Sequence, residues 1–196
     1  MSIAVEKIVV TPEELLAWSD ATGIELIDGV LKERTVSSLS SWVGGRIFFK
    51  LSLHVEANEL GWVFPPDSGI QCFLDAPRTV RKPDVSFVKI DRLKSEEIRD
   101  GWLRVVPDLV VEVVSPHDLS YEVEEKIEMF RRAGVPLIWI VIPPTRSVRV
   151  IRADGSSSLI GEGDELLGEG VVPGFACRVA DLFLPTAPSP AADPVG

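Results

Sequence analysis

Two acidic residues stand where strand-forming residues surround them. Asp84 lies in residues 81–88 (RKPDVSFV) and Glu112 lies in residues 107–116 (PDLVVEVVSP). Strand interiors disfavour Asp and Glu, and a buried carboxylate without a partner costs several kcal/mol. Two such residues about a helix-length apart predict a shared partner. A hard divalent cation such as Mg²⁺ (or Mn²⁺) is the simplest partner, because it binds one or two carboxylates together with substrate phosphate.

A lysine follows on the next predicted helix. Residues 119–133 have helical character, and Gly134 ends the helix. If this helix packs over the end of the sheet, the ammonium of Lys126 could reach both carboxylates. It would keep the acids ionised, orient an attacking water and stabilise negative charge on a phosphoryl group. The metal would polarise the phosphoryl oxygen, so the predicted chemistry is metal-assisted attack at phosphorus.

The N-terminal elements are predicted to be a short helix, a hairpin and a long helix. Thr11 is the predicted N-cap of a helix that runs to about Asp20. Residues 24–33 form a predicted hairpin around the turn dipeptide at 28–29. Residues 37–58 form the long helix, since apolar residues recur there every four positions, as in a buried stripe. The stripe consists of Val43, Ile47, Leu51 and Val55.

The remaining strand and helix signals predict an α/β core (α+β, with a mixed sheet flanked by helices). The segment from 109 to 142 reads as strand, helix, strand, and such a crossover places its two strands parallel. The Gly44-Gly45 pair is predicted to be a close helix contact, because no phosphate-binding loop pattern surrounds it. The predicted strands are 62–64, 69–74, 84–88, 109–114, 137–142 and 147–152.

Composition narrows the classes of protein. The length of 196 residues suits a single domain, predicted as 1–184, with a disordered Pro/Ala-rich tail at 185–196. The net charge of −10 counts against a protein that coats nucleic acid through charge alone. However, residues 78–104 contain eight basic and five acidic side chains, either a nucleic-acid-facing region or an ordinary solvated loop.

The chain has features of a cytoplasmic protein with no membrane span. No apolar run reaches the roughly 18 residues that a membrane helix needs, and the N-terminus has no signal-peptide pattern. Two widely spaced cysteines, Cys72 and Cys177, are predicted to be buried thiols and are too few for a thiolate zinc site.

The acidic segments also resemble a known superfamily. The residues at 83–85 (PDV), 111–116 (VEVVSP), 125–126 (EK) and 134–136 (GVP), with Trp139, resemble the PD-(D/E)XK nuclease superfamily. More closely, they are similar to the Uma-type putative restriction endonuclease family. The opening at 25–29 (ELIDG) is also similar to that family. The resemblance covers about 11–152.

The resemblance implies a restriction-endonuclease-like fold and Mg²⁺-dependent hydrolysis of phosphodiester bonds in nucleic acid, DNA before RNA, by an enzyme that works as a homodimer. It implies that Asp84 and Glu112 are the metal ligands. The superfamily's lysine usually stands at the position of Val114, and in the Uma-type branch it moves to the next helix, where it corresponds to Lys126. Residues 88–103 and the hairpin would shape the DNA cleft. Glu33 is a candidate outer acid.

Other functions and simpler roles stay open. His117, near a strand end, is a candidate to touch substrate, but a capping or loop histidine is the simpler interpretation. Asp84 could cap a turn, Glu112 could form a structural ion pair, and Lys126 could be a solvated helix residue. The acidic net charge and Val114 favour an alternative, a catalytically inactive nuclease-fold protein that acts as a binding or regulatory module. A small-molecule binder that uses the same sheet edge is a third hypothesis.

Overall fold

The computed structural model describes residues 9–99 and 101–185, with the exception of the side chain at 97. It contains three α-helices and ten β-strands in this part of the chain. The elements in chain order are α1 (Pro12–Leu16), β1 (Ile24–Ile27), β2 (Val30–Glu33), α2 (Ser38–Ala57), β3 (Gly61–Phe64), β4 (Val85–Lys89), β5 (Leu109–Val113), α3 (Ser120–Ala133), β6 (Leu137–Ile142), β7 (Ser147–Arg152), β8 (Ser157–Ile160), β9 (Glu165–Leu167) and β10 (Ala176–Arg178).

A six-stranded mixed sheet forms the centre of the fold, with strand order β3-β4-β5-β6-β7-β8. Only the central pair β5–β6 is parallel, and the other neighbours in this sheet are antiparallel. The β1–β2 hairpin and the β9–β10 pair are separate two-stranded sheets. The fold is therefore the predicted mixed sheet with flanking helices, and the parallel β5–α3–β6 crossover is confirmed.

The two faces of the sheet carry different helices. Helix α2 covers one face, and its predicted stripe is buried, with exposures of 0–2% from Val43 to Val55. Helix α3 covers the other face through Ile127 and Phe130. Because side chains alternate along β5, Val111 and Val113 pack under α2, whereas Val110 packs under α3. Glu112 therefore belongs to the α3 face.

Capping and turn residues set most of the element ends. The N-caps of α1 and α2 are Thr11 and Ser37, each in a capping box. Helix α3 ends at Gly134, whose φ of 91° is the left-handed conformation that glycine tolerates. The hairpin turn uses Asp28 and Gly29, both with positive φ. These ends confirm the predicted hairpin, α2 and α3 to within a residue or so.

Two predicted elements are wrong in extent or type. Helix α1 ends at Leu16 instead of near Asp20, because the Asp20 carboxylate accepts the backbone N–H of Thr22 at 2.9 Å in a local turn that competes with the helix. The predicted strand at 69–74 is irregular. Only Ile70 forms isolated bridges, to Arg81 and Leu103, and a turn begins by Leu74.

Three further expectations concern the thiols, the tail and the membrane. Cys72 and Cys177 are both buried and free, as predicted. The predicted disordered tail lies, from residue 186 onward, outside the described residues. No helix in the described ranges combines the length and the apolar character needed to cross a bilayer.

Candidate functional site

The three predicted site residues line one cleft. It opens where the end of β5, helix α3, the β1–β2 hairpin and the start of α2 meet. We call it the acidic cleft. Its charged and histidine lining residues are Glu25, Lys32, Glu33, Arg34, Arg81, Asp84, Glu112, His117, Asp118, Glu122 and Lys126. Glu112 of β5 and Lys126 of α3 are thus brought together with Asp84, which directly precedes β4.

Glu112 projects from β5 towards α3 and meets Lys126. The Lys126 Nζ lies 2.8 Å from Glu112 Oε1 and 2.9 Å from Oε2, but it is oriented to donate a hydrogen bond only to Oε2. Oε1 is buried and accepts no hydrogen bond. Burial raises the pKa of Glu112 to about 7, and the carboxylates of Asp84 and Glu25 add to this effect, while Lys126 and Arg34 oppose it.

Lys126 is held between two acids. Its Nζ also lies 3.0 Å from Oε1 of Glu25, a residue of β1 that is 2% exposed. Burial alone would lower the pKa of Lys126, but Glu112 and Glu25 outweigh it and raise that pKa above the usual value. Lys126 therefore stays protonated at neutral pH, and its side chain is a cation and hydrogen-bond donor in the cleft.

Glu25 is the centre of a buried charge network. In addition to Lys126, it binds Arg81 Nη1 at 3.0 Å and accepts the backbone N–H of Lys82 at 2.7 Å. Burial disfavours its charge, but Lys126, Arg81 and this amide together lower the pKa of Glu25 to about 2. Glu25 is thus a fixed anion that links the hairpin to α3 and to the segment before β4.

Asp84 is satisfied on both oxygens. Its Oδ2 accepts the backbone N–H of Val113 at 2.7 Å, and its Oδ1 binds Arg34 Nη2 at 2.5 Å. Helix α2 passes beside it at Gly44, where a Cβ would stand 3.6 Å from the Asp84 Cβ. The predicted close helix contact at the glycine pair is therefore real at Gly44, whereas Gly45 faces open space.

The two accessory candidates lie on the outer part of the cleft. Glu33 and His117 both line it, and both are exposed. The hairpin forms one wall, and a Lys32–Glu122 ion pair of 2.8 Å joins that wall to α3. None of the described residues of 88–103 lines the acidic cleft. The hairpin therefore contributes to the acidic cleft, and whether it and residues 88–103 shape a DNA-binding surface stays a prediction.

Some of the basic side chains in residues 78–104 form ion pairs within the fold. Arg81 and Lys82 are buried, and they pair with Glu25 and Asp67 respectively. Arg92 pairs with Asp108 at 2.8 Å. Arg81 and Lys82 are therefore not part of an open basic surface, whereas Arg92 is paired but exposed.

The two carboxylates of the acidic cleft fit Mg²⁺ or Mn²⁺, but they do not form a complete set of protein ligands. Among the described residues, no three His, Cys, Asp or Glu side chains form a cluster that could hold a metal by themselves. Mg²⁺ does not require such a cluster, because it commonly binds one or two carboxylates and completes its shell with water and substrate phosphate. The hydrogen-bond-free Oε1 of Glu112, buried beside Asp84, is the atom that fits this role.

Glu25 and Arg34 belong to the site but were not predicted from the sequence. Glu25 shows the same signal that identified Glu112, an acid among strand-forming apolar residues (IELI), and could have been found by it. Arg34 directly follows β2 and carries no comparable signal. Its position beside Asp84 depends on how the hairpin docks against β4 and β5.

Comparison with known proteins places the chain in a family. A solved structure of a putative nuclease belonging to DUF820 from Anabaena variabilis ATCC 29413 is similar, with a TM-score of 0.73 and 16% identity over 89% of this chain and 97% of that one. No curated protein matches the chain. The family model Uma2, described as "Putative restriction endonuclease", matches residues 12–180. This chain therefore belongs to the Uma2 putative restriction endonuclease family.

Proposed function

We propose that this protein is a divalent-metal-dependent endonuclease that hydrolyses phosphodiester bonds in nucleic acid, with DNA as the first candidate substrate. The observation that carries the proposal is the convergence of Asp84, Glu112 and Lys126 in one cleft, where Glu112 Oε1 accepts no hydrogen bond. Membership of a putative restriction endonuclease family, and the similar fold of a putative nuclease, support the same reaction class.

The proposed roles follow from the geometry. Asp84 and Glu112 would hold Mg²⁺ or Mn²⁺, which would act as a Lewis acid on the phosphoryl group. The Lys126 ammonium has three N–H donors, and its contacts with Glu25 and Glu112 use two of them. The third remains for a water or a phosphoryl oxygen. Glu25 is a positioning residue, because it is almost fully buried and would act by fixing Lys126.

His117 and Glu33 are proposed as accessory residues at the rim. Both are exposed and line the acidic cleft, so we expect them to touch the flanks of a bound strand rather than its reacting phosphate.

We further propose that residues 1–184 act as one domain in the cytoplasm and that the enzyme works as a homodimer. Four exposed apolar side chains on α2 support the dimer, since they form a stripe that a second copy could cover. They are Leu39, Trp42, Phe49 and Leu53, with exposures of 38–54%. Light scattering after size exclusion would measure the mass, and a monomer that cuts both strands would contradict the dimer.

Cleavage of supercoiled plasmid and of single-stranded DNA and RNA tests the proposed activity. We expect cleavage by the wild type with Mg²⁺ or Mn²⁺, none with EDTA, and none by Asp84→Asn or Glu112→Gln. Glu128→Gln is the matched control, because Glu128 is a half-exposed acid of α3 that pairs with Arg131 outside the cleft. Equal cleavage by the wild type and both cleft variants would refute the proposal.

A nuclease-fold protein that binds without cutting is the second candidate. The observation that favours it is the charge balance of the cleft, where each of the three acids Asp84, Glu25 and Glu112 forms an ion pair with at least one basic side chain. In that case the purified protein would bind nucleic acid but would cut none of the substrates above, and Mn²⁺ would not bind saturably at the acid pair.

A further inference from the structure

Arg34 occupies the place that a cation would need at Asp84. Its Nη2 lies 2.5 Å from Asp84 Oδ1, and the two side chains are only 12% and 14% exposed. The other oxygen, Oδ2, is fixed by the Val113 N–H. Asp84 therefore has no oxygen free of a strong donor in this structure.

A metal ion and the Arg34 guanidinium cannot both bind Asp84 Oδ1 without strong electrostatic repulsion. Mg²⁺ binds carboxylate oxygens at about 2.0–2.1 Å, inside the distance that Arg34 already holds. Two cationic centres on one partly buried oxygen repel each other strongly, because the local dielectric is low. At Glu112 the Lys126 Nζ lies 2.8 Å from Oε1 but donates its hydrogen bond to Oε2, so Oε1 accepts none. Arg34 is therefore the cation whose hydrogen bond a metal ion at Asp84 must displace.

The arrangement allows Arg34 to leave. Among the described residues, the Arg34 guanidinium donates a side-chain hydrogen bond to Asp84. Its backbone is held separately, since the Arg34 N–H donates to the Gly23 carbonyl at 2.8 Å. The following residues, Thr35 and Val36, are both exposed. The side chain can therefore rotate away from Asp84 while the hairpin stays in place.

We propose that Arg34 is a displaceable counter-ion of the metal site. It holds Asp84 in the metal-free protein, competes with the incoming cation for Oδ1, and lowers the affinity of the site for free metal. The inference rests on the proposed metal-binding role of Asp84 and Glu112. It predicts a site that resists metal at low concentration and keeps the buried acid neutralised until metal arrives.

Calorimetric titration of Mn²⁺ alone into the purified protein tests the competition without any substrate. The variants are Arg34→Gln and Arg34→Met, which remove the charge, and Arg34→Lys, which keeps it but loses the planar fork. Arg131→Gln is the matched control, since Arg131 pairs with Glu128 outside the cleft. Circular dichroism and thermal unfolding establish that each variant is folded, and two neutral variants protect against the failure of one.

The expected result is tighter Mn²⁺ binding by both neutral variants, by about tenfold, the scale of a typical coupling between two sites. Arg34→Lys should fall between them and the wild type, and Arg131→Gln should match the wild type. If the wild type binds Mn²⁺ and the folded neutral variants bind it no more tightly, this inference is wrong, but the proposed metal site stands. If neither the wild type nor any variant binds Mn²⁺, the proposed metal site and this inference both fail.

Discussion

The buried carboxyl of Glu112 should make the stability of the protein depend on pH in a defined direction. Its pKa is raised from 4.5 to about 7, chiefly by burial. The folded state therefore holds this proton more tightly than the unfolded state does. The stabilising effect is complete below pH 4.5 and is lost as the pH rises through 7. At about 1.4 kcal/mol per pH unit, the whole effect is roughly 3 kcal/mol.

Glu112→Gln isolates this effect, because glutamine has a similar shape and carries no titrating proton. Urea unfolding at half-unit steps from about pH 4.5 to 8.5, in EDTA, gives the free energy of unfolding of both proteins. We expect the variant to gain about 3 kcal/mol relative to the wild type across this range, with the difference levelling off above about pH 7.5. Glu128→Gln, a change at an exposed acid, should show no such trend.

A difference between Glu112→Gln and the wild type that stays constant or shrinks as the pH rises would refute the reasoning. A constant difference would mean that Glu112 titrates alike in the folded and unfolded states. A shrinking difference would mean that Lys126 outweighs burial and lowers the pKa of Glu112.

Three further predictions concern the neighbours of Glu112. Lys126→Met should reduce cleavage about 100-fold or more, because it removes a donor aimed at the reacting group; a plasmid assay with Lys126→Arg as the charge-keeping control checks this, and full activity of the Met variant would contradict the proposed role. Glu25→Gln should lower the free energy of unfolding at pH 7 by about 3 kcal/mol, because it leaves Arg81 and Lys126 short of a counter-charge. Since the pKa of Glu25 is lowered from 4.5 to about 2, this loss should fade as the pH falls from 4.5 towards 2, and urea unfolding at about pH 7 and pH 3 measures it. Gly44→Ala should fold and bind Mn²⁺ like the wild type, with stability unchanged or raised by up to about 1 kcal/mol. Its Cβ would make an ordinary 3.6 Å contact with Asp84, and a marked loss of metal affinity by calorimetry would contradict this.

Local signals in the sequence were sufficient for most elements of the fold. The apolar stripe of α2, the Asp28-Gly29 turn and the glycine after α3 each depend on neighbouring residues, and each is where the pattern placed it. The predicted strand at 69–74 is wrong because the contacts of this segment are not local. Its composition is apolar, but its one strand-like residue, Ile70, is held by isolated bridges to distant segments, which no local pattern encodes.

The site was predictable in its types of residue but not in its pairings. A carboxylate in an apolar strand signals an energetic cost that something must offset, and this identified Asp84 and Glu112. It could not show what offsets the cost. In the structure the offsetting groups are Arg34 and Lys126, which reach the acids only after the hairpin and α3 have docked. The same cost at Glu25 identifies a third acid, which the sequence-based prediction did not include.

The most direct test of the central claim is the anomalous diffraction of Mn²⁺ in crystals grown with the ion. We predict an anomalous peak in the acidic cleft, within roughly 2.0–2.3 Å of a carboxylate oxygen of Asp84 and of Glu112, with Arg34 turned away from Asp84. A crystal saturated with Mn²⁺ that shows no peak at these two residues, with Arg34 still bound to Asp84, would contradict it.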